Sequence, residues 1–289
     1  MRHHYLPEFL LKRWAETTAD KKVEVFQLDI PRIPSKRRRP KHTGFEQDLY
    51  ALTHDQVAGL EKQHVETNIL KHVDNEAAKV LNKILIGGLG SLTKTDNTHW
   101  IIFLMSLRVR RPEFINYLKY GEPDEFKATL IESPEKYIAK SGDSDPHALA
   151  EHAEKENPGI TDNFGMVYFG HMITEPDIAM KIGRMTWSLY HFKKLKNHLL
   201  LSDDPLILTE KSIDHPDLII MLPLSPDKVF IATKAHHATR WLSQHRAKDV
   251  LTYINEWSLL QSKKRIIARN KSPHRFILNR NNKRRMKNK

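Results

Sequence analysis

Residues 187–208, WSLYHFKKLKNHLLLSDDPLIL, constrain the fold of this chain more than any other stretch. The first half predicts a helix, because Trp187, Tyr190 and Leu199 can share one apolar face. The second half has two short apolar runs on either side of the acidic turn, Ser202-Asp203-Asp204-Pro205. Short polar residues before a proline favour a tight turn. Two buried strands would therefore hold the acidic turn in place. This arrangement is typical of functional loops and of ordinary hairpins, and the residues alone favour the hairpin.

The composition is that of a globular protein. With 289 residues and 39% hydrophobic content, the chain can bury a sizeable core. The absence of cysteine excludes disulfides, thiolate metal sites and cysteine nucleophiles. The longest apolar run, 100–107, is far shorter than the roughly 20 residues that span a bilayer. The sequence begins with a basic residue and two histidines instead of an apolar signal segment. We therefore expect a cytoplasmic protein without a membrane partner.

The order of the apolar patterns predicts an α+β fold. Long helical patterns cover 53–86 and 91–120, whereas strand patterns at 218–224, 229–233 and 265–269 come late. We expect one α+β domain over 1–269, with a helix-rich N-terminal two-thirds. Its small, mainly antiparallel sheet would come largely from the C-terminal third. Prolines divide 121–159, which indicates a helical insert. Residues 270–289 are predicted to form a basic, flexible tail.

Positive charge is concentrated in two segments of the sequence. The net charge is +12, and residues 271–289 hold eight Lys or Arg and no acid. A second cluster lies among prolines at 31–41. Such segments suit phosphate backbones, although a solubilising tail and a solvated loop would look the same. The predicted nucleic-acid-binding residues are Arg37, Arg38, Arg39, Arg108, Lys283, Arg284 and Arg285.

Candidate catalytic residues come from separate parts of the sequence. His3 and His4 precede a helix that starts near Pro7, and histidine titrates near neutrality. Arg13 and Arg111 can contact a phosphate through their planar guanidinium groups. Asp203 lies in the acidic turn. Each residue also has a structural alternative, such as a satisfied core histidine or an arginine paired with a nearby carboxylate.

Metal-binding motifs are scarce in the sequence, although it contains 17 histidines and 35 acidic residues. Glu61 and His64 have the E-x-x-H spacing of some di-metal helix bundles, but no partner pair is evident, so coincidence is the better interpretation. No H-E-x-x-H motif occurs. We therefore predict no bound metal and no cofactor. A magnesium-dependent reaction would instead use Asp203, Asp204 and Glu46, because hard oxygen ligands suit magnesium.

Several segments, taken in order, resemble one bacterial family, the domain of unknown function numbered 4238. The resemblance spans about residues 3–269 and leaves the basic tail outside. One departure is Asp204, which stands where the family pattern S-D-N-P has asparagine. The matching segments are HYLPEFLLKRWA at 4–15, FEQDLY at 45–50, RRP at 110–112, SDDP at 202–205, PLSP at 223–226 and Asn255 before RIIA at 265–268.

The resemblance implies a role in defence against phage, because similar proteins occur near mobile elements and antiphage genes. Combined with the basic charge, it predicts an effector that acts on nucleic acid, with an RNA-cleaving nuclease as the leading hypothesis. In a metal-independent reaction, His3 or His4 would move the proton, and Arg13, Arg108 or Arg111 would stabilise charge on the phosphate. Two alternatives stay open. One is a non-catalytic sensor that binds a phage protein or nucleic acid, and the other is an enzyme that binds a small anionic substrate.

Overall fold

Two antiparallel four-stranded sheets meet at the acidic turn. The structure is a computed structural model that describes residues 1–16, 18–120, 149–234 and 244–287. One sheet has the strand order β3-β2-β12-β8, and the other has the order β7-β11-β10-β9. The turn at 203–206 connects β8 in the first sheet to β9 in the second. It is therefore a link between sheets and not a hairpin.

The described elements follow one another in an α+β order, so the predicted fold class is confirmed. The strands are β1 (Arg2–His4), β2 (Val23–Gln27), β3 (Ser35–Arg38), β4 (Phe45–Gln47), β5 (Gln56–Val57), β6 (Leu60–Glu61), β7 (Thr186–His191), β8 (Leu201–Ser202), β9 (Ile207–Leu208), β10 (Ile219–Ser225), β11 (Lys228–Thr233) and β12 (Arg265–Ala268). The helices are α1 (Glu8–Ala15), α2 (Lys71–Gly87), α3 (Lys94–Val109), α4 (Pro112–Tyr120), α5 (Leu149–Glu156), α6 (Ile160–Val167), α7 (Phe169–Ile173), α8 (Pro176–Gly183), α9 (Ala247–Gln261) and α10 (His274–Lys287).

The helix predicted from Trp187 onward is wrong. Residues Thr186–His191 form strand β7, which pairs with β11 and places Leu189 opposite Phe230. β7 is an edge strand whose four central residues are all half-buried, so the usual alternation of buried and exposed residues is absent. Aromatic and β-branched residues suit such a partly covered sheet surface. Pairing with β11 therefore outweighed the helical pattern of the apolar residues.

The long helix predicted over 53–86 begins at Val65, where a π-helical segment, Val65–Leu70, runs directly into α2 at Lys71. Before it, β5 and β6 form a hairpin in which Val57 lies opposite Leu60. Its two turn residues, Ala58 and Gly59, have φ values of 48° and 75°. Positive φ at both positions is typical of a type I′ hairpin turn. Glu61 therefore belongs to a strand, and the E-x-x-H pair does not lie on a helix.

The helix predicted over 91–120 is divided into α3 and α4 at Arg110 and Arg111. α3 begins after Thr93, whose side chain and backbone exchange hydrogen bonds with Asp96 in a capping box. The break follows from Pro112, because the residue before a proline is disfavoured in the helical conformation. The division exposes the end of α3 beside the acidic turn.

The basic C-terminal segment differs from the predicted flexible tail. Residues His274–Lys287 of this segment form α10, and Ile277 is fully buried in a cluster with Phe26 and Leu259. Arg280 also pairs with Glu256 of α9, at 2.6 Å. The segment therefore packs against the domain up to at least residue 281. The side chains of Lys283, Arg284 and Arg285 lie outside the described residues, as does 121–148 of the predicted insert.

Candidate functional site

Asp203 anchors the acidic turn to the strand beside it. Its carboxylate accepts hydrogen bonds from the backbone N–H groups of Lys263, Lys264 and Arg265, at 2.9, 2.8 and 2.9 Å. The side chain is nearly inaccessible, and this burial raises its pKa, against the effect of the three N–H donors. A carboxylate held in this way fixes the geometry of the 263–265 turn. Asp203, predicted to be catalytic, is better placed to position that turn than to move a proton.

Asp204 is paired with Arg111 across the gap between the sheets and the helices. The Arg111 guanidinium donates to the Asp204 carboxylate at 3.1 Å and to the Arg108 carbonyl at 2.9 Å. Burial raises the pKa of Asp204 to about 6, although Arg111 opposes this shift. About one third of the Arg111 side chain is exposed. The pair therefore holds Arg111 in a fixed pose at the surface.

A groove of about 700 Å³ opens beside this pair. It lies between the end of α3, the loop that follows β9, and α9. Three cationic residues that line it, Arg108, Lys211 and Lys263, make no ion pair within the part of the chain that the structure describes. Trp257, half-buried on α9, contributes an aromatic wall. The complete charged and aromatic lining is Arg108, Arg111, Lys211, Lys263, His215, Trp257, Asp204 and Glu210.

An apolar pocket of about 270 Å³ adjoins the groove. The two cavities share Arg108, Leu206 and Leu208 in their linings. At the rim of the apolar pocket, Tyr168 and His171 stack with their ring centroids 4.7 Å apart. Aromatic rings therefore line both of these adjoining cavities.

His3, a predicted catalytic residue, is fully buried and has both ring nitrogens occupied. Its Nδ1 accepts the Tyr50 backbone N–H at 2.8 Å, so the proton lies on Nε2 and is donated to the Gln63 side chain at 2.7 Å. The ring stacks on Tyr50, and burial lowers the His3 pKa to about 4. These contacts indicate a neutral, structural histidine.

His4 faces the opposite side of β1 and has a different environment. Its Nε2 is buried and has no hydrogen-bond partner among the described residues. Burial lowers the His4 pKa, while the carboxylates of Glu8 and Asp74 oppose that shift. The His4 backbone N–H interacts with Glu66, a carboxyl group whose pKa burial raises to about 7. A buried nitrogen without a partner is costly, and such groups are often retained for function.

Arg110 lies next to this histidine cluster and is wholly buried. It donates to both carboxylate oxygens of Asp74, at 2.8 and 3.3 Å, and to Ser106 at 2.6 Å. The Tyr50 hydroxyl donates to the Arg110 carbonyl at 2.9 Å. Arg110 therefore ties α2, α3 and the segment after β4 together, while its neighbour Arg111 reaches the groove.

The predicted catalytic residues do not share one cavity. Arg13 is tied to Glu16 and Asn82, eight residues along α2 from Asp74. Eight helical residues span about 12 Å, so Arg13 lies far from the His4 cluster. Arg111 lines the groove, and Asp203 lies directly behind it. His3, His4 and Arg13 do not line that groove.

The predicted nucleic-acid-binding residues also occupy different places. Arg108 lines the groove. Arg37 is held by Asp20 and by the carbonyl oxygens of Lys22 and Arg269, so its role is structural as well as electrostatic. Arg38 and Arg39 are exposed on and after β3.

The described ranges contain neither a metal-binding cluster nor a membrane-spanning helix. Within them, no three His, Asp or Glu side chains are grouped so that they could hold a metal ion. Asp203 and Asp204, the magnesium ligands considered above, are engaged by backbone amides and by Arg111. No described helix has both the length and the apolar character needed to cross a bilayer.

The sequence patterns did not predict several of the residues that line the groove. Lys211, His215, Trp257 and Lys263 are scattered over more than fifty residues and belong to no motif. They converge because the acidic turn joins the two sheets and places the loop after β9 beside α9. A two-sheet arrangement was not predicted, so no sequence signal pointed to this cluster.

The comparisons with known proteins support the resemblance noted in the sequence. Searches of curated proteins and of solved structures found no significant match. The sequence profile of one family, described as "Protein of unknown function (DUF4238)", matches residues 2–272. This range contains both sheets and the whole groove. The chain therefore belongs to the DUF4238 family.

Proposed function

We propose that this protein binds single-stranded nucleic acid, with RNA favoured, in the groove beside the acidic turn. The observation that carries the proposal is the combination, in one open cavity, of an exposed face of Trp257 and three cations that have no ion-pair partner in the described part of the chain. Proteins that bind single strands combine a cationic groove for the backbone with aromatic side chains on which bases stack. The groove contains both features.

The shape of the groove favours a single strand over a duplex. Its volume of about 700 Å³ suits a few nucleotides, and its walls come from three separate segments. Arg111 is held at the groove wall by Asp204 and by the Arg108 carbonyl, so it adds to the cationic lining once Asp204 is neutral. The direct test is the affinity of the full chain for single-stranded RNA, single-stranded DNA and duplex RNA of equal length. Equal or tighter duplex binding would contradict the proposal.

RNA cleavage in defence against phage remains the second part of the proposal. It is supported by His4, whose buried Nε2 has no hydrogen-bond partner among the described residues and whose backbone N–H contacts Glu66, a carboxyl group that titrates near neutrality. Such a pair can supply and accept protons near physiological pH. We propose that the groove binds RNA, that His4 and Glu66, which lie outside the groove, act on another part of the bound strand, and that a phage-derived trigger controls the reaction in the cytoplasm. Binding is the part that the geometry supports best.

The pH dependence of binding should depend on Asp204. Because its pKa in the folded protein is about 6, Asp204 becomes protonated as pH falls from 7.5 to 5.5 and releases Arg111. The freed guanidinium can then contact a phosphate. We expect Asp204→Asn to bind RNA up to about tenfold more tightly than wild type at pH 7.5. This is the gain in affinity expected from one additional hydrogen bond between the guanidinium and a phosphate.

Asp204→Asn also serves as the control for the pH dependence, because it removes this carboxyl group and keeps every other titratable group of the wild type. The ratio of affinities at pH 5.5 and 7.5 should therefore be smaller in Asp204→Asn than in wild type. Because the folded pKa lies above the usual value for aspartate, wild-type stability should also fall as pH rises from about 4 to about 6. Equal RNA affinities of the two proteins at both pH values would show that Asp204 does not restrain Arg111.

A further inference from the structure

A second cationic pocket lies on the sheet that contains β3, β2 and β12. Its volume is about 110 Å³. Its wall includes two cations of β3, Lys36 and Arg38, and one of β12, Arg265. The segment after β3 contributes His42 and Phe45. No carboxylate lines the pocket. The pocket is thus much smaller than the groove and purely basic in its charge.

The strand register explains why these cations converge. Lys36 lies opposite Val25, Arg38 opposite Val23, and Arg265 opposite Gln27. Directly paired residues of antiparallel strands project from the same face, as do residues two apart along a strand. All three cationic side chains therefore lie on one face of the sheet. None of them makes an ion pair within the described residues.

Two of the donors are held in place before any ligand binds. The Arg265 guanidinium donates to the Tyr5 hydroxyl at 2.9 Å, and its backbone N–H is fixed by Asp203. At His42, Nδ1 accepts a hydrogen bond from Arg2 at 3.2 Å. A neutral imidazole that accepts at Nδ1 carries its proton on Nε2, which leaves that nitrogen as a donor.

The pocket and the groove are adjacent along the chain. Lys263 lines the groove and Arg265 lines the pocket, and both belong to the turn anchored by Asp203. Residues two apart have Cα atoms separated by at most about 7 Å. The turn anchored by Asp203 therefore borders both cavities, and a strand bound in the groove would reach the pocket by crossing this turn.

We propose that this pocket binds the terminal phosphate of an RNA whose body lies in the groove. A terminal phosphomonoester carries a charge of about −1.5 to −2 near pH 7, compared with −1 for an internal phosphodiester. The pocket is small, is lined by Lys36 and Arg38 of β3 and by the fixed Arg265, and has no carboxylate in its lining. It therefore suits the more highly charged terminal phosphate. The inference rests on the proposed RNA binding for its ligand, but the pocket can be tested alone.

The experiment compares three RNAs of one sequence, with a 5′-phosphate, a 3′-phosphate or neither, in binding to the full chain. Wild type should bind one phosphorylated RNA about tenfold more tightly than the unphosphorylated RNA. Arg38→Gln should abolish this preference. Arg39→Gln, which removes an equal charge from an exposed residue outside the pocket, should retain it. Equal affinity of wild type for all three RNAs would overturn the inference and leave groove binding intact.

A second measurement separates failure of the pocket from failure of RNA binding. Binding of inorganic phosphate is followed by ³¹P line broadening in wild type, Arg38→Gln and Arg39→Gln. Broadening that Arg38→Gln removes and Arg39→Gln keeps would support the pocket even if no RNA bound. Equal broadening in all three proteins, or none in wild type, would overturn it. Melting temperatures of the variants establish that both remain folded.

Discussion

Replacement of Arg110 by methionine is expected to lower the free energy of unfolding by about 3 kcal/mol. The guanidinium is wholly buried and makes a two-point contact with Asp74, whose side chain is one quarter exposed. Removal of one partner leaves the other charge without compensation in a poorly solvated site, and the residual exposure of Asp74 keeps the loss at the lower end of the usual range. Urea unfolding monitored by circular dichroism gives the measurement.

The matched control for Arg110 is Arg108→Met. Arg108 is half-exposed on the same helix and makes no ion pair within the described segments, so its replacement should change stability by less than about 0.5 kcal/mol. The double variant Arg110→Met with Asp74→Leu should recover part of the loss, because both charges are then absent. Equal stability of Arg110→Met and Arg108→Met would show that the buried pair contributes little.

Replacement of His4 by asparagine is expected to reduce RNA cleavage by about 10²- to 10⁴-fold, the usual contribution of a general acid or base. Asparagine keeps much of the size and hydrogen-bonding capacity of histidine but has no titratable proton. RNA affinity should be unchanged, since His4 does not line the groove. The assay measures cleavage of total cellular RNA by purified protein, with and without magnesium.

His3→Asn is the control for this prediction. His3 bonds to Tyr50 and Gln63 through both ring nitrogens, so its loss should lower the melting temperature and leave the rate per folded molecule unchanged. Equal cleavage by wild type and His4→Asn would exclude His4 as the proton-transfer group. If neither purified protein cleaves RNA, growth arrest is compared in infected cells that contain wild type or His4→Asn at equal abundance. Arrest that His4→Asn abolishes would favour a triggered nuclease, and arrest that it retains would favour a non-catalytic binder.

The sequence predicted the fold class and the late strands, because local patterns determine both. β10, β11 and β12 lie where their apolar patterns indicated. The two wrong helix predictions, from residue 187 and from residue 53, concern segments whose conformation depends on pairing with another strand. β7 lacks a clean alternation because both of its faces are half-buried, and the turn at Ala58 and Gly59 is a two-residue signal within a helical pattern. In each case the partner strand determines the conformation.

The candidate site was only partly predictable, for a related physical reason. Arg108 and Arg111 were identified because they follow a buried helix and precede a proline. Their partners in the groove depend on a link between two sheets, which is a property of topology and not of any local segment. The roles of Asp203 and His3 could not be predicted from the sequence either, because a sequence does not show whether a side chain is buried or which groups it contacts. Hydrogen-bond partners distinguished them.

The salt dependence of RNA binding tests the central proposal most directly. In the double variant Arg108→Gln with Lys263→Gln, two cations of the groove are lost, so the slope of log affinity against log salt concentration should flatten by about 1.4 for single-stranded RNA. The control, Lys193→Gln with Lys196→Gln, removes the same charge from exposed residues outside the groove. We predict that only the groove variant shows this flattening, and that it also loses most of its affinity for RNA. Equal slopes for wild type and both double variants, or equal losses in the two variants, would contradict RNA binding in the groove.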